Sequence, residues 1–137
     1  MALSAVKLRQ QLRGKVHRQH RAGIAAAIKR CTDDLKVDIV LTCGGSGLSP
    51  RDNTPEATRD VCEREVPGIA EAMRAESLKI TRHAMISRAA SVIRGKTLII
   101  NLPGSPRACM ENMDVFMDTI PHAMGLLRNE VHDCARK

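Results

Sequence analysis

Aromatic residues are nearly absent from this chain of 137 residues, which contains one Phe and neither Trp nor Tyr. Proteins that hold single-stranded nucleic acid without sequence preference stack its bases on aromatic side chains. The composition therefore argues against that class, and we do not expect nucleic acid as a partner. Long apolar runs are also missing, since none approaches the roughly 18 residues that a membrane-spanning helix needs. The N-terminus shows no apolar centre of a signal peptide, so we expect no membrane association and a cytoplasmic location.

Paired cysteine motifs are missing as well. The chain has five cysteines, an odd number, and no C-x-x-C pair. Wide spacing of this kind is typical of free thiols in a reducing compartment rather than of a disulfide framework. Cys43 directly precedes a glycine cluster, so it is either a reactive thiol or, as we favour, a small residue at a strand end. The five histidines show no metal-ligand spacing, and we expect no zinc site. The cysteines are Cys31, Cys43, Cys62, Cys109 and Cys134.

Acidic residues are absent from positions 1–30, which carry eight basic residues. The rest of the chain has 14 basic and 15 acidic residues, so the net charge of +7 belongs to the N-terminus. We predict that residues 1–20 form a basic arm, disordered or loosely helical, and that residues 21–137 form the folded domain. A solvated arm is the favoured interpretation. Binding of the arm to nucleic acid or to an acidic surface is the alternative.

Glycines cluster after a short apolar run within residues 37–59, which read VDIVLTCGGSGLSPRDNTPEATR. Ile39–Leu41 is typical of a strand, Gly44–Gly47 of a turn, and Thr54 followed by Pro55 of a helix start. Such a turn can aim several backbone N–H groups into one concavity that binds phosphate. The segment has neither the Lys of a P-loop nor the spacing of the dinucleotide fingerprint. The pattern alone therefore leaves anion binding and a plain turn equally open.

The remaining chain alternates between helical and strand patterns. Val37–Thr42 is nearly all apolar, which predicts a strand buried on both faces. Lys96–Leu102 is the second predicted strand, and Gly95 is expected to end the helical segment before it. Helical segments are predicted over Ala22–Cys31, after Thr54, over Gly68–Lys79, from Thr81 or His83 through Ile93, and after Ser105.

This alternation predicts an α/β layered fold with a mostly parallel sheet. Each predicted strand ends in a glycine-containing loop, at Gly44–Gly47 and at Pro103–Gly104. Ligands of such sheets bind at the carboxyl ends of the strands. We therefore expect both loops at one edge of the sheet, facing one ligand.

The string GGSGLSPRDNTPEAT resembles the core motif of the molybdopterin-binding (MoaB/Mog) family, usually written TTGGTG…RDVTPEAT. Further matches follow in family order, and together they run from about Arg21 to about Asn129. The resemblance is to the molybdopterin adenylyltransferase branch of molybdenum cofactor synthesis, to which the G domain of gephyrin is related. The later matching segments are Pro67-Gly68 with Glu71-Ala72-Met73-Arg74, Ser87-Arg88, and Asn101-Leu102-Pro103-Gly104-Ser105-Pro106.

This resemblance implies a three-layer α/β/α fold and a nucleotidyl transfer. The family joins an AMP group from ATP to the terminal phosphate of molybdopterin and releases pyrophosphate, a reaction that needs positioning, charge neutralisation and Mg²⁺. ATP and molybdopterin are thus the implied substrates and Mg²⁺ the implied cofactor. The resemblance also implies a homotrimer, with other cofactor-synthesis proteins as further partners.

The resemblance implies that Asp52 is the catalytic residue and a Mg²⁺ ligand. The alternative is a purely structural role, in which Asp52 caps a turn. Arg51 is expected to pair with phosphate or with Glu56, although a lone arginine is more often a surface residue. Glu71 and Arg74 lie three residues apart on one predicted helix and are expected to pair with each other. The implied substrate-binding residues are Gly44, Gly45, Ser46, Gly47, Arg51, Thr54, Glu56, Ser87, Arg88, Asn101, Pro103, Gly104 and Ser105.

One part of the family pattern is not matched. The family domain usually begins with a strand, a turn, a helix and a second strand, which ends near a Pro-Asp motif that supplies a second catalytic carboxylate. No Pro-Asp precedes Ala22, so the chain reads as a domain truncated at its N-terminus. We therefore expect Ile39–Leu41 to lack one sheet neighbour. A pterin- or nucleotide-binding module, or an assembly module, without catalysis remains the alternative function.

Overall fold

The computed structural model describes residues 20–130, so the predicted basic arm at residues 1–20 lies almost entirely outside the described residues. Among residues 20–130, no helix is long and apolar enough to cross a membrane. Shorter turns of helix, π-helical at Arg30–Asp34 and 3-10 at Arg82–Ile86 and Met117–Thr119, separate some of the main elements. In chain order these are α1 (Arg21–Lys29), β1 (Ile39–Cys43), α2 (Thr54–Asp60), β2 (Arg64–Glu65), α3 (Pro67–Leu78), β3 (Ser91–Arg94), β4 (Thr97–Leu102), α4 (Pro106–Phe116) and α5 (Ile120–Leu127).

The strands form one sheet of four strands in the order β1-β4-β3-β2. Strand β1 runs parallel to β4, with Val40 opposite Ile99. The pairings of β4 with β3 and of β3 with β2 are antiparallel. The α/β class is confirmed, but within the described residues the sheet is mixed rather than mostly parallel. Strand β3 is antiparallel to β4 because a hairpin turn joins the two strands and reverses the chain.

That hairpin turn contains Gly95, which the sequence pattern assigns to the end of a helix. The predicted helix is wrong beyond residue 86, since Ser91–Arg94 is strand β3 and pairs with β4 from Arg94 opposite Thr97. Gly95 has a φ of +57°, a conformation that serves helix ends and two-residue hairpins equally well. The β-branched Val92 and Ile93 beside it favour the strand.

Helices cover both faces of the sheet, so the three-layer arrangement is confirmed. On β4, Leu98, Ile100 and Leu102 pack with α3, α4 and α5 in one core. Between them, Ile99 points to the opposite face and packs with Ile28 of α1 in a second core. This alternation is the period of two that a strand between two layers requires. The described residues of the two cores are Ala70, Met73, Ala89, Leu98, Ile100, Leu102, Phe116, Ile120 and Met124 on the first face, and Ile28, Val61, Ala90, Val92 and Ile99 on the second.

Strand β1 lies at the edge of the sheet formed by residues 20–130. Leu41 is 37% exposed and Cys43 is exposed, so the prediction of a strand buried on both faces is wrong for β1, although β4 is buried at all six positions. Within the described part of the chain β1 pairs with β4 alone, so no second strand lies beside Leu41 and Cys43 there.

Candidate functional site

Two glycine-containing loops meet where the parallel strands β1 and β4 end. Cys43 lies opposite Leu102, so the two strands end level with each other. Gly44 then donates its N–H to the carbonyl oxygen of Leu102 at 2.9 Å. A Cβ on Gly104 would lie 3.3 Å from the Cα of Gly44, which shows how closely the loops approach. The prediction that both loops share one edge of the sheet is therefore confirmed.

A cavity of about 430 Å³ opens beside these loops. Helix α3, the turn at Arg82–Ile86 and the start of α4 supply its other walls. Six residues of the predicted site lie outside its wall, namely Arg51, Thr54, Glu56, Arg88, Asn101 and Ser105. Eight line it, namely Gly44, Gly45, Ser46, Gly47, Asp52, Ser87, Pro103 and Gly104.

Three consecutive N–H groups of the first loop point to a role in binding a ligand. Gly44 donates to Leu102, but Gly45, Ser46 and Gly47 have no hydrogen-bond acceptor for their N–H groups among residues 20–130. All three residues line the cavity. Successive unpaired N–H groups at a glycine turn are the means by which proteins hold phosphate oxygens. The loop therefore offers the donors that the sequence pattern predicts for an anion.

Thr54 supports the first loop from beneath. Its side chain is buried, and its N–H donates to the carbonyl oxygen of Gly45 at 3.1 Å. A Cβ on Gly45 would lie only 2.3 Å from Oγ1 of Thr54. The backbone of Gly45 has a φ of +70°, which L-residues with side chains rarely adopt. Glycine at position 45 is thus required by both the backbone conformation and the close approach of Thr54.

Arg88 fixes the shape of the same loop from outside. Its Nε donates to the carbonyl oxygen of Gly47 at 2.8 Å, and its Nη2 donates to that of Asp52 at 2.6 Å. The remaining hydrogen bonds go to the carboxylate of Glu56. These bonds hold the pKa of Glu56 below its usual range, with the hydrogen bond from Arg88 as the largest cause. Arg88 is thereby occupied by protein groups, and the alternative pairing of Arg51 with Glu56 is wrong.

Asp52 makes the turn-capping contact and also lies in the wall of the cavity. Its Oδ2 accepts a hydrogen bond from the N–H of Ser49 at 3.2 Å, which is the turn-capping contact. The carboxylate also lies beside the loop, since a Cβ on Gly47 would lie 2.8 Å from Oδ2, and Asp52 lines the cavity. Within the described part of the chain, Oδ1 of Asp52 receives no hydrogen bond. One oxygen orients the side chain, and the other remains available to a ligand.

The donor set at Asp52 fits a Mg²⁺ ion that is shared with a phosphate ligand. Among residues 20–130, no group of three or more His, Cys, Asp or Glu side chains could hold a metal ion by itself. Mg²⁺ does not need such a group, because it is commonly bound through one or two carboxylates together with substrate phosphates and water. Asp52 beside the N–H groups of Gly45, Ser46 and Gly47 has the composition of such a shared site.

Asn101 and Ser105 serve the fold around the cavity. Asn101 is fully buried on β4 and donates from Nδ2 to the hydroxyls of Thr42 and Thr58, at 2.9 Å each. Ser105 accepts a hydrogen bond from the N–H of Ala108 and caps helix α4, as its sequence predicts. Arg51 is exposed on the loop that follows the glycines. The motif positions therefore include residues that shape the site without lining it.

Sequence reasoning did not assign Arg74 to the site. Arg74 lines the cavity and donates from Nη1 to the carbonyl oxygen of Ala89 at 3.0 Å. Its expected pairing with Glu71 is wrong, because Arg74 bonds to the main chain near β3 instead. The sequence feature that could have indicated this is the position of Arg74 directly after the buried Met73. From there a long side chain can follow the helix surface towards the cavity. Arg74 supplies a positive charge in the cavity wall.

Asn112 is a second residue that sequence reasoning missed. It is buried, lines the cavity and donates from Nδ2 to the hydroxyl of Ser77 at 3.2 Å. The sequence feature that could have indicated Asn112 is its position three residues after Cys109, which places a polar side chain on the apolar stripe of α4. A polar side chain on a buried stripe indicates a specific partner, which here is Ser77 on the adjacent helix α3.

Comparison with known proteins gives consistent matches across most of the chain. The family model described as "Probable molybdopterin binding domain" matches residues 11–122. Gephyrin of Dictyostelium discoideum is 50% identical over 96 residues, which cover 70% of this chain and 13% of that protein. A molybdopterin adenylyltransferase of Helicobacter pylori is 45% identical over 100 residues, which cover 73% of this chain and 56% of that enzyme. The chain thus spans about half the length of the adenylyltransferases it matches.

A solved structure of the molybdopterin biosynthesis enzyme MoaB from Thermus thermophilus superimposes with a TM-score of 0.75 and 44% sequence identity. The superposition covers 80% of this chain and 69% of that one. A Mog protein from Mycobacterium ulcerans gives a TM-score of 0.74 at 36% identity, over 77% of this chain and 69% of that one. The fold and the sequence therefore point to the same group of proteins.

Proposed function

This chain belongs to the molybdopterin-binding domain family, and on that premise we propose that it adenylylates molybdopterin in molybdenum cofactor synthesis. In this reaction the terminal phosphate of molybdopterin attacks the α-phosphorus of ATP, and pyrophosphate leaves. One observation carries the proposal. The wall of the cavity of about 430 Å³ contains Asp52, Arg74 and three N–H groups that have no acceptor among residues 20–130, which suits a ligand rich in phosphate.

The proposed roles follow from what each group can donate or hold. The N–H groups of Gly45, Ser46 and Gly47 bind phosphate oxygens, and the guanidinium of Arg74 attracts the negative charge of the substrates. Thr54, Glu56 and Arg88 keep the loop in the conformation that presents these donors. Their contribution is positioning, which supplies much of the rate in nucleotidyl transfer.

Asp52 is proposed as the residue that holds Mg²⁺ and thereby orients the triphosphate. When bound, the ion supplies positive charge that neutralises the phosphate oxygens. The N–H of Ser49 donates to Oδ2 of Asp52. This contact fixes the side-chain rotamer of Asp52 and therefore the position of Oδ1 as well. Glu111 is the other carboxylate in the cavity wall, but it forms an ion pair with Arg107 at 2.9 Å.

A second candidate is a module that binds pterin or nucleotide, or serves assembly, without catalysis. What favours it is the small number of carboxylates, since no cluster of three metal-binding side chains occurs among residues 20–130. The similarity to gephyrin of Dictyostelium is compatible with it. The two candidates differ in turnover rather than in ligand binding.

Replacing Asp52 with Ala is expected to lower adenylyl transfer by about 100-fold, because one preorganised charged contact to phosphoryl groups contributes about this much. The assay supplies ATP, Mg²⁺ and molybdopterin to the purified chain and measures pyrophosphate and adenylylated pterin. Asp118→Ala is the matched control, since Asp118 is exposed and does not line the cavity. Equal turnover of Asp52→Ala and wild type would refute the role of Asp52. A folded wild type that binds ATP and pterin without turnover would leave the binding module.

We further propose that the chain forms a homotrimer in the cytoplasm, where other cofactor-synthesis proteins are its partners. Four free thiols among residues 20–130 suit a reducing compartment. Several large apolar side chains are more than half exposed and would be covered by self-association. Sedimentation should therefore give three times the chain mass of 15.0 kDa, and a monomer at micromolar concentration would contradict the trimer. The side chains that are more than half exposed are Leu48, Ile80, Met85 and Met110.

A further inference from the structure

Two cysteines from distant parts of the sequence meet next to residues that line the cavity, since Cys43 precedes Gly44 and Cys109 follows Ala108. Cys43 is the last residue of β1 and Cys109 lies on α4, yet their Sγ atoms are 3.9 Å apart. Pairing with β4 fixes the end of β1, and the packing of Phe116 into the core fixes α4. The thiol contact is therefore set by two well-anchored elements rather than by a loop.

Each cysteine of this pair lies close in sequence to one of the two loops that line the cavity. Cys43 directly precedes Gly44, whose backbone touches Gly104, and Cys109 follows Gly104 within the first turn of α4. A covalent bond between the two sulfurs would join the residue before the first loop to the helix after the second loop. Such a bond would hold both cavity-lining loops at a fixed separation.

We propose that Cys43 and Cys109 form a reversible disulfide by exchange with a small-molecule disulfide of the glutathione type. The thiolate of the exposed Cys43 attacks one sulfur of oxidised glutathione, and the other sulfur leaves as glutathione thiolate. The thiolate of Cys109 then attacks Sγ of Cys43 and displaces the second glutathione. The two cysteines lose two electrons and two protons, and oxidised glutathione gains them to become two molecules of reduced glutathione.

The geometry distinguishes this pair from the other described cysteines. Cys31 and Cys62 are free thiols and make no contact with another sulfur among residues 20–130. A disulfide requires the sulfurs of Cys43 and Cys109 to approach to about 2.05 Å. Cys43 is exposed at a strand end, so its side chain is the part that moves.

Exchange at this pair is expected to be slow at neutral pH. Although Cys43 is exposed as a residue, partial burial of its sulfur, followed by the neighbouring Cys109 thiol, raises the pKa of Cys43 above its usual range. Because the thiolate is the attacking form, the reaction should be followed at about pH 8.5, where more of it is present. Once formed, the bond would enclose a long loop, since the two residues are 66 positions apart. A crosslink of that length should raise the melting temperature by roughly 10 °C.

The experiment treats the full chain with excess oxidised glutathione, alkylates the remaining thiols and maps the peptides by mass. The expected product is a peptide pair joined through Cys43 and Cys109, two hydrogens lighter than the sum of the free peptides. Dithiothreitol should reverse the bond, and the oxidised chain should melt roughly 10 °C higher. Cys43→Ser and Cys109→Ser should abolish the linked peptide, whereas the matched control Cys62→Ser should retain it.

Two results would overturn the disulfide. One is a stable mixed disulfide between glutathione and Cys43, with Cys109 still reactive towards the alkylating reagent. The other is linkage of Cys43 to Cys31 or Cys62 in a yield equal to that with Cys109. Circular dichroism of the reduced variants shows whether each is folded before oxidation. Both the peptide map and the melting temperature are independent of ligand binding, so they test the disulfide whether or not the chain transfers an adenylyl group.

Discussion

Replacing Gly45 with Ala is expected to lower the free energy of unfolding by about 3 kcal/mol. The backbone of Gly45 has a φ of +70°, and a side chain there costs roughly 1 kcal/mol. The new Cβ would lie 2.3 Å from Oγ1 and 3.3 Å from Cβ of Thr54. Thr54 is buried and its side chain is short, so relief requires the loop or α2 to move, which costs a further 1–3 kcal/mol or so, as overpacking does. Urea unfolding followed by circular dichroism measures the change.

Two other glycines separate the contributions to this loss. Gly95→Ala has the strain alone, because Gly95 has a φ of +57° but an added Cβ would meet nothing within 4 Å, and a loss of about 1 kcal/mol is expected. Gly68→Ala has neither problem, and Ala within helix α3 should stabilise by about 0.5 kcal/mol. If Gly45→Ala costs no more than Gly95→Ala, the close approach of Thr54 is not a constraint.

The same glycines show what sequence can and cannot predict about this fold. Gly44–Gly47 follows an apolar strand and precedes a helix start, so its role is readable from neighbours in the chain. Gly95 has a local sequence that suits a helix end and a hairpin equally, and only the pairing of β3 with β4 decides between them. Pairing depends on residues elsewhere in the sheet, and for this reason the mixed sheet was not predictable from local pattern.

The candidate site also has features that local sequence predicts and features that it does not. The loops at its edge could be predicted because strand ends and glycines are local signals. The partner of each polar side chain could not, because the deciding contacts join residues far apart. Glu56 is bonded by Arg88, 32 positions away, and not by the nearby Arg51. Arg74 likewise reaches Ala89 rather than Glu71, which lies on its own helix.

Asn101 shows how a motif residue can contribute through stability, and its replacement by Ala is expected to cost about 4 kcal/mol. The change removes the hydrogen bonds from Nδ2 to Thr42 and Thr58 and leaves the buried N–H of Ala90 without its acceptor, Oδ1 of Asn101, at 3.0 Å. Each lost bond costs about 1 kcal/mol, and the buried unsatisfied groups and small void add to this. Urea unfolding of the purified variant gives the value.

The matched control is Asn53→Ala, because the Asn53 amide makes one long exposed contact to Arg51 at 3.4 Å, and its loss should change stability by less than about 0.5 kcal/mol. Thr58→Val tests the shared bond to Asn101, and the double variant with Asn101→Ala should lose less than the sum of the single losses. The fraction of the Asn101→Ala variant that remains folded should bind ATP with unchanged affinity, since Asn101 does not line the cavity. A large loss of ATP affinity in the folded fraction of this variant would instead make Asn101 a ligand contact, as the family resemblance implies.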